Sequence, residues 1–176
     1  MDEQQWQFMR SQALVLSVMA AFQRPRPLPI YSPNANEESR RAVQEAVKRR
    51  LRLFEPGYAV IPNEETHIQN IESLANEVSS QHAASLTNGS FRIGTAQKAL
   101  NLYLKYLWCL GRIPEPPHCP VDAVTLRGIN ELADIRWTQI TTTGQYMRCI
   151  NALRRRANGE SLARWELRLW NEATSK

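Results

Sequence analysis

The sequence contains few cysteines and few glycines, and each scarcity excludes a class of protein. The 176 residues include three cysteines, at positions 109, 119 and 149. An odd number at such wide spacing does not predict a disulfide framework, and no C-x-x-C pair predicts a zinc site. The 7 glycines form no glycine-rich loop of the kind that holds phosphate groups. We therefore expect neither a metal nor a cofactor.

Long apolar runs are also lacking. No stretch approaches the roughly 18 residues that a membrane-spanning helix needs. An apolar segment does run from Ala13 to Phe22, near the first residue. However, Asp2 and Glu3 stand where a signal peptide would be basic, and the Arg-Pro-Arg-Pro run after Gln23 replaces a small-residue cleavage site. We expect a buried first helix, a cytoplasmic protein and no membrane partner.

The composition is that of a folded protein with a moderate basic excess. Hydrophobic residues make up 43% of the chain and charged residues 22%, which is typical of globular rather than disordered proteins. The length suits one domain. The formal net charge is +5, and this permits nucleic-acid or other anionic partners without proving them.

Hydrophobic residues that recur every three or four positions predict an all-α single domain of about seven helices, covering residues 1–176. The predicted helices span residues 2–23, 36–54, 63–85, 95–110, 121–132, 143–158 and 161–172. A proline-rich connector at residues 24–35 joins the first helix to a helical core at 36–172. Residues 58–61 are the only predicted strand.

The fourth helix carries the strongest indication of a site. It is apolar nearly all round, which predicts burial, yet it also bears a polar stripe: Gln97, Lys98, Asn101 and Lys105. A polar group that is buried must find a partner, and Asp122 follows after a rigid loop. Three interpretations remain open. The stripe faces solvent, it lines a cleft in which Lys98 or Lys105 meets Asp122, or it forms a buried structural network. The candidate pocket residues are Gln97, Asn101, Trp108 and His118.

His118 and Cys119 are adjacent in a loop with prolines on both sides. Such a pair could bind a metal or act as base and nucleophile. Neighbouring residues rarely converge on one ion, so a stiff loop that sets the angle between two helices is the favoured interpretation.

Basic residues form three separate stretches, one of them on the second helix. The candidates for contact with nucleic acid come from the other two: Arg92, Lys105, Arg112, Arg154, Arg155 and Arg156. Arginines at a helix C-terminus also interact with the last carbonyls and the helix dipole. If the three stretches converge, however, they would bind a phosphate backbone.

One segment resembles a known family. The runs Ile93-Gly94-Thr95-Ala96-Gln97-Lys98-Ala99-Leu100 and Pro120-Val121-Asp122-Ala123-Val124-Thr125-Leu126-Arg127 are similar to the core of helix-hairpin-helix DNA glycosylases. The resemblance covers residues 90–128 and lacks the second glycine of the family's hairpin. It implies an all-α enzyme that binds DNA and flips a base, with Lys98 as the nucleophile and Asp122 as the assisting carboxylate.

Two functions are therefore predicted. The first is a protein that binds DNA or RNA, in the form of a glycosylase-like enzyme of base excision or base modification. The alternative is a non-catalytic helical module that binds another protein, such as a subunit of a defence or nucleic-acid-processing assembly. A helical ribonuclease ranks last, because His67 and His82 lack an arginine partner in sequence. The first function predicts a deep cleft around Lys98 and Asp122, and the second predicts Lys98 in solvent.

Overall fold

The computed structural model describes residues 1–23 and 28–174. These residues form six α-helices joined by turns and short 3-10 segments. The helices are α1 (Glu3–Phe22), α2 (Glu37–Phe54), α3 (Glu64–His82), α4 (Ile93–Cys109), α5 (Thr143–Ala157) and α6 (Leu162–Thr174). The prediction of an all-α protein with about seven helical segments is confirmed.

Side chains that cap the first turn explain where several helices begin. Asp2 accepts a hydrogen bond from the Gln5 backbone, while the Gln5 side chain binds back to the Asp2 backbone. Thr142 and Gln145 form the same capping box before α5. Asparagines precede α2 and α3 in the same role. Each cap satisfies N–H groups that have no partner within the helix.

Helix α4 lies at the centre of the core. Its buried side chains include Leu100, Tyr103, Leu104 and Leu107, and they belong to one hydrophobic cluster to which all six helices contribute. Helix α1 packs along α4 with its own buried face, which contains Leu14 and Val18. The first helix is therefore part of the common core rather than a detached arm.

Two local predictions are corrected. Residues 121–132, predicted as a helix, form a series of turns that ends in a 3-10 segment, Asn130–Leu132. Asp122 and Thr125 bond to each other's backbone there, which closes a turn instead of starting a long helix. The predicted strand at 58–61 is wrong, because Glu55–Tyr58 is a 3-10 segment. Within the described residues, β pairing is limited to one isolated bridge between Tyr31 and Leu86.

The predicted connector at 24–35 is only partly described, since residues 24–27 lie outside the described residues. Residues 28–35 contain no helix. The connector is anchored at Ser32, whose N–H donates to the carbonyl of Ser85, and at Ile30, whose carbonyl accepts from Thr87.

Gly94, in the first turn of α4, permits a close approach that shapes the site. Its N–H donates to the carbonyl of Ile140 at 2.9 Å. A Cβ at this position would lie 1.8 Å from the carbonyl oxygen of Trp137. The absence of a side chain therefore lets residues 137–140 pass directly over the start of α4.

Candidate functional site

A cavity of about 620 Å³ opens beside α4. Its walls come from α4, from α6, from the turns at 120–124, from Trp137 and from the end of α1. Most of the lining is apolar, and the aromatic side chains of Tyr106, Trp137 and Trp170 take part in it. A concave, largely apolar pocket with a few convergent polar groups is typical of a binding site for a small organic group.

One face of α4 supplies the charged groups of this cavity. Lys98, Leu102, Lys105 and Cys109 all line it, and their spacing of four, three and four residues places them on one side of a helix. The four polar side chains that the sequence predicted as one stripe therefore point in two directions. Its two lysines face the cavity, whereas Gln97 and Asn101 point into the protein and are completely buried.

Lys98 and Asp122 meet inside the cavity. The Nζ of Lys98 lies 3.3 Å from Oδ2 of Asp122, and 14% and 16% of the two side chains are exposed. The same Nζ lies 4.5 Å from the centre of the Trp137 ring, which favours a cation over the aromatic face. The interpretation in which the stripe faces solvent is wrong for Lys98.

Asp122 is held in one orientation by its own turn. Oδ1 accepts hydrogen bonds from the backbone N–H groups of Val124 and Thr125, at 2.9 and 3.2 Å. The second oxygen, Oδ2, remains directed toward Lys98. A carboxylate fixed in this way offers one oxygen for chemistry while the other maintains the turn.

A second ion pair lies farther along the cavity. The Nζ of Lys105 contacts Oε2 of Glu166 at 2.6 Å, with 12% and 8% of the side chains exposed. Burial raises the pKa of the Glu166 carboxyl above its usual value, an effect that Lys105 opposes. Lys105 also lies 5.5 Å from the centre of the Trp170 ring. The sequence offered Lys105 both as a nucleic-acid contact and as a cleft residue beside Asp122, and the structure places it within the cavity wall with Glu166 as its partner.

The four predicted pocket residues do not line this cavity. Gln97 lies behind its wall, where Nε2 donates to the carbonyl of Val121 at 2.7 Å and Oε1 accepts from the Val121 N–H at 3.0 Å. Asn101 donates to Gln97 and to the hydroxyl of Tyr146. Trp108 is half-buried against the core, with Arg164 at 6.0 Å from the centre of its ring.

His118, the fourth of these, belongs to a buried polar network that includes a second histidine. Nδ1 of His118 lies 2.8 Å from the Tyr146 hydroxyl, and the His67 ring packs edge-on at 4.7 Å between centroids. His67 in turn bonds the Tyr58 hydroxyl at 2.8 Å. Burial lowers the pKa of His67 to about 3 and also lowers the pKa of His118. The network is consistent with neutral imidazoles that connect α3, α4 and α5.

The network reaches the surface at Glu64. Its Oε1 contacts Nε2 of His118 at 2.8 Å and also binds Arg154. These contacts, first with Arg154 and then with His118, lower the pKa of Glu64 to about 2. Arg154 therefore forms a salt bridge with Glu64.

The remaining predicted basic residues each contact a partner within the protein. Arg92 is buried and donates to the carbonyls of Leu28 and Pro29. Arg112 lies over the Trp6 ring. Arg155 pairs with the carboxylate of Glu131, and Arg156 donates to the backbone carbonyl of Gly128.

Two other arginines lie next to the cavity. Arg127 and Arg136 are exposed and line a shallower pocket of about 430 Å³ that shares Ala123 and Trp137 with the main cavity. Within the described part of the chain, neither guanidinium has a salt bridge or hydrogen bond. Both place a positive charge at the edge of the site.

Sequence reasoning missed Trp137, Trp170 and Glu166. Glu166 is a single acid on the apolar face of α6, between Leu162 and Leu169. An acid at such a position indicates a buried charge that needs a partner. No such indication exists for Trp137, because its position depends on the close approach at Gly94.

Across residues 1–23 and 28–174, no three histidine, cysteine or acidic side chains are grouped to hold a metal ion. Cys119 is buried, and burial raises the pKa of its thiol. The described helices include none with the length and apolar composition needed to cross a membrane. Comparisons of the chain with protein-family models, with curated proteins and with solved structures give no match.

Proposed function

We propose that this protein binds nucleic acid and takes one unstacked nucleobase into the cavity, where Lys98 and Asp122 carry out base excision. The observation that supports this most strongly is the meeting of these two residues in one aromatic-walled cavity. They are 24 positions apart, and the resemblance to helix-hairpin-helix glycosylases assigns the nucleophile and the carboxylate to the same two positions.

The shape of the cavity suits a base that has left its stack. Enzymes that act on a base extrude it into a pocket and hold it against aromatic or apolar side chains. Trp137 and Trp170 supply such surfaces here. Every base has a π-face, so stacking contributes binding energy regardless of sequence, about 1–3 kcal/mol per base.

The ion pair supplies the groups that the reaction needs. An amine attacks only after it has lost its proton, and Oδ2 of Asp122 is placed to receive that proton from Lys98. The amine then forms a bond to the sugar C1′ while the glycosidic bond breaks. The base leaves with the bonding electron pair and takes up the proton from Asp122. The sugar ring then opens at the C1′–O4′ bond as the C1′–N double bond forms, and O4′ takes up a proton from the nitrogen. Water later hydrolyses the resulting protonated imine and frees Lys98.

The phosphate contacts are assigned to Arg127 and Arg136. They border the cavity and have no ion-pair partner in the described residues. Phosphate groups flank the base that enters the cavity, so unpaired guanidinium groups at its edge can fix the backbone on either side.

The proposal is tested by blocking the cavity. Ala123 is exposed and lines the cavity, so Ala123→Trp fills its opening without altering the buried core. Ala42→Trp, at an exposed position on α2, is the matched control. We expect the wild type and the control to bind labelled single-stranded DNA, and Ala123→Trp to bind at least about tenfold more weakly. Equal binding by all three proteins, or no binding by the wild type at low salt, would rule the proposal out.

A protein-interaction module remains the second candidate, because α1 exposes an apolar stripe. Phe8 and Met19 are 61% and 53% exposed, and Leu16 is exposed beside them. Surface stripes of this kind often mark protein contacts. If this is the function, Phe8→Ser with Met19→Ser will abolish capture of a specific partner in matched pull-downs while Ala123→Trp leaves it unchanged.

A further inference from the structure

The Lys105–Glu166 pair has no part in the proposed reaction, although it lines the same cavity. Lys98 and Lys105 are seven residues apart on one helix, which separates their backbones by about 10 Å along the axis. The cavity therefore has a reactive end at Lys98 and Asp122 and a second charged end at Lys105 and Glu166. When the sugar of a bound nucleoside lies beside Lys98 and Asp122, the edge of its base that is farthest from the sugar points toward Lys105 and Glu166.

Both members of this pair have unused hydrogen-bonding capacity. An ammonium has three donor hydrogens and a carboxylate has about four acceptor positions. Within the described residues, the pair makes a single hydrogen bond, from Nζ of Lys105 to Oε2 of Glu166. Oε1 of Glu166 accepts no hydrogen bond from a described residue. A donor and an acceptor are thus presented side by side to whatever occupies the cavity.

Stability does not account for the presence of this ion pair. The cost of removing two charges from water commonly equals or exceeds their attraction, and apolar replacements of similar volume are often neutral or stabilising. Glu166 lies on the otherwise apolar inner face of α6, between the buried Leu162 and the half-buried Leu169. A polar pair at such a position is better explained by recognition of a ligand.

We propose that Lys105 and Glu166 read the edge of the bound base and select bases that carry a carbonyl group next to a ring N–H. This inference rests on the proposed function. Lys105 donates to the carbonyl oxygen, and Glu166 accepts from the ring N–H. Guanine, hypoxanthine, uracil and thymine present this edge.

Adenine and cytosine present the opposite pattern. Their amino groups would face the Lys105 ammonium, and their unprotonated ring nitrogens would face the Glu166 carboxylate. Each mismatch leaves a buried polar group without a partner, and sites built on hydrogen bonds reject such ligands strongly. Guanine gains most, because its second N–H donor can reach the remaining carboxylate oxygen.

The test uses short single-stranded oligonucleotides with one base at the centre and abasic spacers elsewhere. One probe each carries guanine, hypoxanthine, uracil, adenine or cytosine, and a further probe carries no base. Binding is measured by quenching of tryptophan fluorescence, since two tryptophans line the cavity. We expect the guanine, hypoxanthine and uracil probes to bind at least about tenfold more tightly than the adenine and cytosine probes, as one good bidentate contact provides.

A double variant separates recognition from folding. Lys105→Met with Glu166→Leu keeps the volume of the pair and removes both charges, so the fold is retained. We expect this variant to bind all base-carrying probes within about twofold of one another. The matched control is Lys48→Met with Glu45→Leu, which removes an ion pair of the same two residue types on α2, outside the cavity, and leaves the selectivity between bases unchanged.

The outcomes distinguish this inference from the proposed function. If every base binds alike, and more tightly than the base-free probe, the inference is wrong while nucleobase binding stands. If the Lys105→Met, Glu166→Leu variant keeps the wild-type selectivity, the inference is also wrong. If no base-carrying probe binds more tightly than the base-free probe, both the inference and the proposed function fail.

Discussion

Gln97 clamps both backbone groups of Val121, donating to its carbonyl at 2.7 Å and accepting from its N–H at 3.0 Å. Gln97 immediately precedes Lys98, and Val121 immediately precedes Asp122. One amide side chain therefore sets the distance between the two elements that carry the reactive pair. Val121 lies in no helix or strand, so these two hydrogen bonds take the place of the backbone hydrogen bonds that a helix or strand would provide.

The first prediction concerns this clamp. Gln97→Ala should reduce the free energy of unfolding by about 2–5 kcal/mol, because it leaves a buried N–H and a buried carbonyl without partners and creates a small cavity. Gln4→Ala, at an exposed position in α1, should change stability by less than about 0.5 kcal/mol. Denaturant unfolding measures both. A Gln97→Ala protein as stable as the control would show that the clamp does not hold the two elements together.

The second prediction tests the close approach at Gly94. Gly94→Ala places a Cβ against the Trp137 carbonyl, so the segment at 137–140 must move and the protein should lose about 1–3 kcal/mol or more. Movement of Trp137 should also change the tryptophan fluorescence. Gly57→Ala is the control, since no other atom lies within 4 Å of a Cβ there. Equal stability of the two variants would contradict the described packing.

A third prediction concerns salt. Binding to nucleic acid should weaken linearly as the logarithm of salt concentration rises, with a slope set by the number of phosphate contacts. Arg127→Ala and Arg136→Ala should each reduce the magnitude of that slope by about one. Arg155→Ala should change it less, because Arg155 already pairs with Glu131. If Arg155→Ala has the larger effect, the phosphate contacts lie at the end of α5 instead.

The buried histidines make a fourth prediction, for stability against pH. The folded pKa of His67 is lowered to about 3 from an unfolded value near 6.5. The unfolded chain therefore binds more protons below about pH 6.5, and stability falls as pH falls through that window. By about pH 5 the loss from His67 alone should be about 2 kcal/mol. His118 and Glu64, whose pKa values are also lowered, act in the same direction.

Unfolding measured in denaturant from about pH 7.5 to pH 5 tests this dependence. His67→Gln should flatten it, whereas His82→Gln, at the end of α3 and outside the network, should leave it unchanged. A stability that does not fall in the wild type over this range would mean that His67 is accessible to protons in the folded state.

Local sequence signals were sufficient for most of the helices. The predicted helix starts at residues 36 and 63 agree with the structure, where Asn36 and Asn63 each cap a helix. Such starts are visible in sequence because capping depends on contacts within a few residues. The segment at 121–132 was mispredicted as a helix. Its apolar residues are spaced as in a helix, but the hydrogen bonds between Asp122 and Thr125 form a turn. These side chains compete with the helix for backbone groups, and a hydrophobic pattern does not show such competition.

The candidate site was predictable only in part. Lys98 and Asp122 were identified from residue type and from the resemblance, and the structure brings them together. Glu166 was missed because it lies 44 positions from Asp122 along the chain, and only packing of α6 against α4 brings it into the cavity. Arg154 was predicted as a nucleic-acid contact, and sequence spacing does not reveal that Glu64 lies beside it.

The central claim, that Lys98 reacts with a sugar carbon while Asp122 assists, is tested most directly by borohydride trapping. The reagent reduces an imine between a lysine and an abasic-site DNA to a stable amine. The lysines at 48, 98, 105 and 176 are distinguished by mass spectrometry of peptides. We predict an adduct at Lys98 that Lys98→Met abolishes, and a rate of formation that Asp122→Asn lowers by about 10²-fold or more, with both variants fully folded. Labelling spread over all four lysines, or an unchanged yield in Lys98→Met, would contradict the claim.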